Sequence, residues 1–265
     1  MILDYFPTLK GLILDMDGVI WRGNEAIGNL PAIFSEINRI GLDFVFATNN
    51  SGKTIQEYQE ILRSIDLEVE PRQILTSAVA TFLYLQENHP NKKNLFIIGS
   101  DSFKSDAVKR GFNLVNAENN LHADFVVVGL DKNLNYTDIK FAANQIFNGA
   151  IFLATNTDAT FPTPHGPNPG AGVMVAAVKT ASGIEPIVIG KPSPNMYKQA
   201  VKTMHLEPDQ VLCVGDRLVT DILGAHNGGF PSAFVLSGVN SLEDLANWEI
   251  KPDIVAKDLE TLING

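Results

Sequence analysis

Cysteine is nearly absent from this 265-residue chain. Cys213 is the only one, which excludes an internal disulfide framework and fits a reducing compartment. An excess of positive charge is also missing: 20 Lys and Arg stand against 30 Asp and Glu, a formal net charge of -10. So acidic a surface repels polyanions, so neither nucleic acid nor an anionic membrane is an expected partner. No apolar run approaches the ~20 residues that a membrane span requires. The N-terminal stretch lacks a basic start and has Asp4 and Lys10 among its apolar residues, so it does not read as a secretory signal. Internal repeats and low-complexity segments are lacking too. The expectation is a soluble, cytoplasmic protein. What is present suits a packed interior: hydrophobic residues make up 45% and charged residues 19%, leaving no disordered bulk. At about 150 residues per domain, the length allows one large or two modest domains.

Short apolar runs alternate with longer stretches of helical pattern. The runs are residues 12–14, 44–47, 95–98, 125–128, 151–154, 187–189, 211–214 and 233–236. They are nearly continuous rather than alternating, as in strands buried on both faces of a parallel sheet. Candidate helices include 30–40, 55–65, 78–87, 194–204 and 221–227. This βαβα rhythm predicts an α/β, doubly wound, Rossmann-like parallel-sheet core. Softer segments, Glu70-Pro71-Arg72-Gln73 and Ser182-Gly183-Ile184-Glu185-Pro186, bound a middle section with strand-like runs of its own. We read residues 1–77 and 187–265 as the core and 78–186 as an inserted α/β domain.

Open parallel sheets bind ligands beyond the carboxyl ends of their strands. Four runs end there in polar residues: Asp15-Met16-Asp17-Gly18, Thr48-Asn49-Asn50-Ser51, Gly190-Lys191-Pro192, and Gly215-Asp216-Arg217 followed by Thr220-Asp221. Asp17-Gly18 alone is equally well a turn at a strand end, and Asp221 equally well the start of a helix. If the two acidic pairs converge, each pair of ionised carboxylates ~5 Å apart repels by roughly 3 kcal/mol at an effective dielectric near 20. Such a cluster raises its own pKa values or recruits a cation. Hard oxygen ligands without a neighbouring His or Cys favour Mg²⁺ over zinc. Lys191 is a compact cation suited to a phosphate oxygen, although a lone lysine is more often a surface residue. Thr48, Asn49 and Asn50 add a hydroxyl and amide donors. A phosphoryl group attacked by a carboxylate suits this set.

The four motifs, in this order and at strand ends, resemble those of the haloacid dehalogenase superfamily of phosphohydrolases, in its NagD-like, 4-nitrophenylphosphatase branch. The first runs Asp15-Met16-Asp17-Gly18-Val19-Ile20-Trp21-Arg22-Gly23 and the second Thr48-Asn49-Asn50-Ser51. The third is Ile189-Gly190-Lys191-Pro192-Ser193-Pro194 and the fourth Gly215-Asp216-Arg217-Leu218-Val219-Thr220-Asp221-Ile222. The resemblance implies that Asp15 is the nucleophile forming an aspartyl-phosphate. Asp17 would be the acid for the leaving alkoxide and then the base for water. Thr48 and Lys191 would hold phosphoryl oxygens, with Asn49 and Asn50 beside them on the substrate. Mg²⁺ would be bound by Asp15, the backbone carbonyl of Asp17, and Asp216, with Asp221 acting through water or as an anchor behind the ligands. The middle section would be a large cap, and its run 155–172, rich in Gly and Pro, a loop near the ligand. Of the histidines, only His165 in that loop is placed to touch substrate. A covering cap implies a small-molecule phosphate ester, such as a sugar phosphate, a nucleotide monophosphate or 2-phosphoglycolate. Exposed cap surface leaves room for a homodimer.

Other patterns are set aside. Gly52-Lys53-Thr54 is no P-loop, since the first glycine would fall at Ala47. Cys213 sits within an apolar run, as a core thiol does. There is no HExxH or GxSxG, and the sequons at Asn49 and Asn135 mean nothing without secretion. Besides a phosphomonoesterase, two readings stay open: a phosphotransferase or mutase on the same scaffold, and a non-enzymatic phosphate-binding or phospho-Asp signalling domain.

Overall fold

The strand Gly11–Leu14 is buried at every position, and a strand with no wet face needs cover on both sides. In the computed structural model, which describes residues 2–23, 25–119, 121–161 and 166–265, each of the eight apolar runs carries a strand. The chain packs as two units: Met1–Thr48, Ile55–Leu75 and Lys191–Gly265 form one, and Asn49–Thr54 with Thr76–Gly190 the other.

The first unit holds a six-stranded sheet. Its order is Ile254–Ala256, Ser232–Val235, Val211–Gly215, Gly11–Leu14, Asp43–Thr48 and Ile74–Thr76. Gly11–Leu14 pairs in parallel with Val211–Gly215 on one side and Asp43–Thr48 on the other. The chain leaves this central strand first to one side and later to the other, so a crevice opens beyond its carboxyl end. Leu30–Arg39 covers one face of the sheet. Asn29 caps it by accepting the Ala32 N–H, and Leu30, Ile33, Phe34 and Ile37 form its buried stripe, the spacing of a helix with one apolar side. Phe34 meets the rings of Phe44 and Phe46 at 4.8 and 5.6 Å between centroids. Pro194–Met204 starts at Ser193, whose side chain accepts the Asn195 N–H, with Pro194 opening its first turn.

The helix expected over 221–227 begins earlier and differently. Leu218–Ile222 forms a π-helical turn that runs into Leu223–Gly228. Asp221 therefore lies inside the turn and reaches back, its Oδ2 accepting the Arg217 N–H at 3.0 Å.

The second unit has its own parallel sheet, in the order Ile187–Val188, Ile151–Ala154, Phe125–Val128, Asn94–Ile98 and Asn113–Leu114. Helices Tyr136–Phe147 and Ala171–Ser182 bring Ala142, Ile146, Val175 and Val178 against Val126, Val128 and Phe152. Three details differ from the sequence-based boundaries, the first being that the main segment of this unit starts at Thr76 rather than at residue 78. Ile187–Val188 pairs with Ile151–Ala154, so 187–190 belongs here rather than to the core, because apolarity reports burial but not which sheet a strand joins. Asn49–Thr54 also belongs here, since Ser77 Oγ and Asn156 Nδ2 both donate to the Asn49 carbonyl at 2.7 Å. No helix among the described residues is long and apolar enough to cross a membrane.

Candidate active site

Asp15 extends the central strand by one more ladder bond, its N–H donating to the Val214 carbonyl at 2.9 Å. The chain then folds into a tight loop. The Gly18 N–H donates to the Trp21 carbonyl at 2.7 Å, and the Ile20 N–H to the Met16 carbonyl at 2.8 Å. Gly18 has φ +86, where a side chain is strained. A Cβ there would also strike the Asp216 carboxylate and the Gly238 backbone. Glycine is thus required twice, for the turn and for the approach.

Asp216 directly follows Val211–Gly215, on the strand beside Gly11–Leu14, and its side chain is fully buried. Its Oδ2 accepts the Val239 N–H at 2.5 Å. Its Oδ1 is buried with no hydrogen-bond partner among the described residues. Lys191 Nζ donates to Asp15 Oδ1 at 2.6 Å and to Asp221 Oδ1 at 2.7 Å, and the three side chains are 4, 10 and 5% exposed for Lys191, Asp15 and Asp221. Asp15, Asp216 and Asp221 each offer an oxygen within 4.8 Å of the others.

The electrostatics follow from this crowding. Burial, reinforced by the Asp221 and Asp216 charges, pushes Asp15 well above the usual carboxylate range, against the pull of Lys191. Burial, and then the charge of Asp221, raise Asp216 to about 7. Burial works against the Lys191 ammonium, yet Asp15 and Asp221 outweigh it and hold its pKa above the ordinary lysine range. Three carboxylates face one ammonium, and ionising all three calls for further positive charge. A buried, partnerless oxygen on Asp216 is the direction from which it would come. The oxygen-only donor set fits a hard divalent cation. Asp15 and Asp216 are the better ligands. Both oxygens of Asp221 are engaged, by Lys191 and by the Arg217 N–H, so it serves to hold the lysine and the turn.

Asp17 stands apart from this cluster. It is exposed, and its Oδ1 accepts the Trp21 Nε1–H at 2.9 Å. Thr48, the last residue of Asp43–Thr48, is buried, and the Tyr58 hydroxyl shares a hydrogen bond with it. Asn49 and Asn50 lie in the second unit. The Asn49 amide donates to Asp158 Oδ2 at 3.1 Å, tying its loop to the 155–172 segment, and Asn50 Oδ1 accepts the Gly52 N–H at 2.8 Å within its own turn. His165 lies outside the described residues. The structure therefore gathers Asp15, Lys191, Asp216 and Asp221 around the central strand end. Val239 holds Asp216, Trp21 holds Asp17 and Tyr58 bonds Thr48; none of the three was singled out from the sequence. Residue identity does not say what the polar tip of a buried aromatic bonds, and a backbone donor such as Val239 N–H leaves no mark in it at all.

Comparison with known proteins agrees with this geometry. A haloacid dehalogenase-like hydrolase model matches residues 12–113, and a HAD-hydrolase-like model matches 188–262. An acid sugar phosphatase of Staphylococcus epidermidis is 34% identical over 254 residues, 96% of each chain. The crystal structure of a 4-nitrophenylphosphatase from Thermotoga maritima superposes with a TM-score of 0.90 at 31% identity, covering 98% of both chains. A glycerol phosphate phosphatase from Mycobacterium tuberculosis, solved in complex with magnesium, gives 0.88 at 32% identity, over 98% of this chain and 78% of that one. The chain belongs to the haloacid dehalogenase-like hydrolases, and within them to the NagD-like phosphatase branch.

Proposed function

We propose that the protein is a Mg²⁺-dependent phosphomonoesterase that hydrolyses a small phosphorylated metabolite through an aspartyl-phosphate at Asp15. The observation that carries this reading is the buried Asp15–Lys191–Asp221 bridge beside the partnerless oxygen of Asp216, with an exposed acid, Asp17, two residues from the nucleophile. Asp15 and Asp216, with the backbone carbonyl of Asp17, would hold the ion. When bound, Mg²⁺ would supply positive charge that offsets repulsion between the carboxylates and the phosphoryl oxygens.

The chain's own groups account for the rest. Lys191 fixes the Asp15 carboxylate through Oδ1 and reduces its repulsion of an anionic ester. The carboxylate attacks phosphorus, the P–O bond to the alkoxy group breaks, and Asp17 delivers a proton to the departing oxygen. Asp17, now a carboxylate, takes a proton from water as that water attacks phosphorus. The bond to Asp15 then breaks and phosphate leaves. Thr48 would donate to a phosphoryl oxygen, in the positioning role that dominates phosphoryl transfer. The names of the relatives, which include acid sugar phosphatase and glycerol phosphate phosphatase, support a sugar or polyol phosphate within the broader class that also contains nucleotide monophosphates and 2-phosphoglycolate.

The test is phosphate release from 4-nitrophenyl phosphate and a panel of metabolite esters after chelation and again after adding Mg²⁺. Activity should return with Mg²⁺ and fall by about 10³-fold or more in Asp15→Asn. An Asp15→Asn protein with full turnover would remove the nucleophile from the scheme.

A further inference from the structure

Asp17 is the one acid of the site whose side chain is exposed, and an exposed aspartate samples several rotamers. Trp21 is its opposite. The residue is 8% exposed and belongs to the same hydrophobic cluster as Leu14, Met16 and Ile20. Its backbone is fixed as well: the carbonyl accepts the Gly18 N–H at 2.7 Å, and the strand Trp21–Arg22 pairs antiparallel with Glu25–Ala26. From this rigid mount the indole Nε1–H reaches Asp17 Oδ1 at 2.9 Å.

An indole nitrogen can only donate. The oxygen it contacts must therefore accept, whatever the other oxygen does. We propose that Trp21 is a positioning residue for Asp17, holding the carboxyl in one rotamer and committing Oδ1 to accepting. Oδ2 is then the oxygen that passes the proton to the leaving group. The inference rests on the acid–base role given to Asp17 under Proposed function, and it adds a group outside the acidic cluster that decides how well that role is performed. Trp21 touches neither substrate nor phosphorus in this account. It acts through Asp17 alone.

Leaving-group chemistry separates this from a merely structural role. 4-Nitrophenolate departs without much help from a proton, whereas an alkoxide needs one. The value of kcat/KM reports the step in which that bond breaks, so the ratio of alkyl to aryl ester measures delivery of the proton. Trp21→Phe keeps the ring and deletes the N–H. We expect the kcat/KM of glycerol phosphate to fall tenfold or more, and that of 4-nitrophenyl phosphate about threefold or less. In an Asp17→Asn background the same substitution should leave the ratio where Asp17→Asn alone puts it, the signature of two residues acting as one unit. Equal losses on both esters in Trp21→Phe, with the wild type active on both, would overturn the inference and leave the phosphatase reading intact. A wild type active on neither ester would overturn both.

A second measurement does not need the tryptophan variant to fold. The chain has two tryptophans, so its indole N–H region should show two resonances. Asp17→Ala should move one of them and leave the other in place. Two unmoved resonances would show that the hydrogen bond does not exist in solution, and the inference would fall with it.

Discussion

Asp216 should make the metal-free protein less stable than it needs to be. Its side chain is fully buried, only Oδ2 has a hydrogen-bond partner among the described residues, and Asp221 lies beside it. Raising a carboxyl from its ordinary 3.8 to about 7 corresponds to about 4 kcal/mol in favour of the protonated form. Because the folded-state value lies above the unfolded one, that stabilisation is fully present below 3.8 and is lost as pH rises through about 7. Asp216→Asn imitates the protonated acid: its amide oxygen can still accept the Val239 N–H, and its NH₂ can donate towards Asp15 or Asp221. Urea unfolding followed by circular dichroism, in chelator, should show variant and wild type nearly equal at acid pH. The variant should pull ahead by up to about 4 kcal/mol near pH 8. Saturating Mg²⁺ should reverse the order, since only the wild type gains the full binding free energy on folding. A variant that is the less stable of the two at pH 8 in chelator, or a gap that does not change with pH, would refute the electrostatic account.

Two other perturbations probe Lys191, inside the cluster, and Thr48, outside it. Lys191→Met removes the ammonium that Asp15 and Asp221 share and leaves two buried carboxylates without it; a loss of about 3–5 kcal/mol in urea unfolding at neutral pH is expected, together with loss of turnover, and an unaltered midpoint would contradict the geometry. Tyr58→Phe deletes the hydroxyl that bonds Thr48. A bond of this kind contributes about 1 kcal/mol, so KM for a phosphate ester should rise about fivefold with kcat little changed, as steady-state kinetics would show.

The strands and the acids were both legible in the residues, for one physical reason. A parallel sheet covered on both faces leaves no wet side, so its strands are written as unbroken apolar runs. The first polar residues after such a run sit where the sheet opens. Asp15, Thr48 and Asp216 are marked in this way. Membership of a sheet is not, because Ile187–Val188 has the same composition whichever edge it joins. Nor is the placement of Asn49–Thr54, whose polar residues give no hint that Ser77 and Asn156, 28 and 107 positions away, hold its backbone. The more instructive gap concerns Trp21 and Tyr58. Each is buried, as a core residue is. Each also carries a polar tip on its ring, and the tips meet Asp17 and Thr48. Short side chains such as these cannot anchor themselves, because they bury too little surface to resist rotation. A large aromatic body can, and it loses little further freedom when its tip is engaged. A residue that looks purely hydrophobic in the sequence can therefore be the one that sets the aim of a neighbouring acid or hydroxyl. For this fold, the search for positioning groups should start from the aromatic residues packed beside the acids, before the polar residues of the loops.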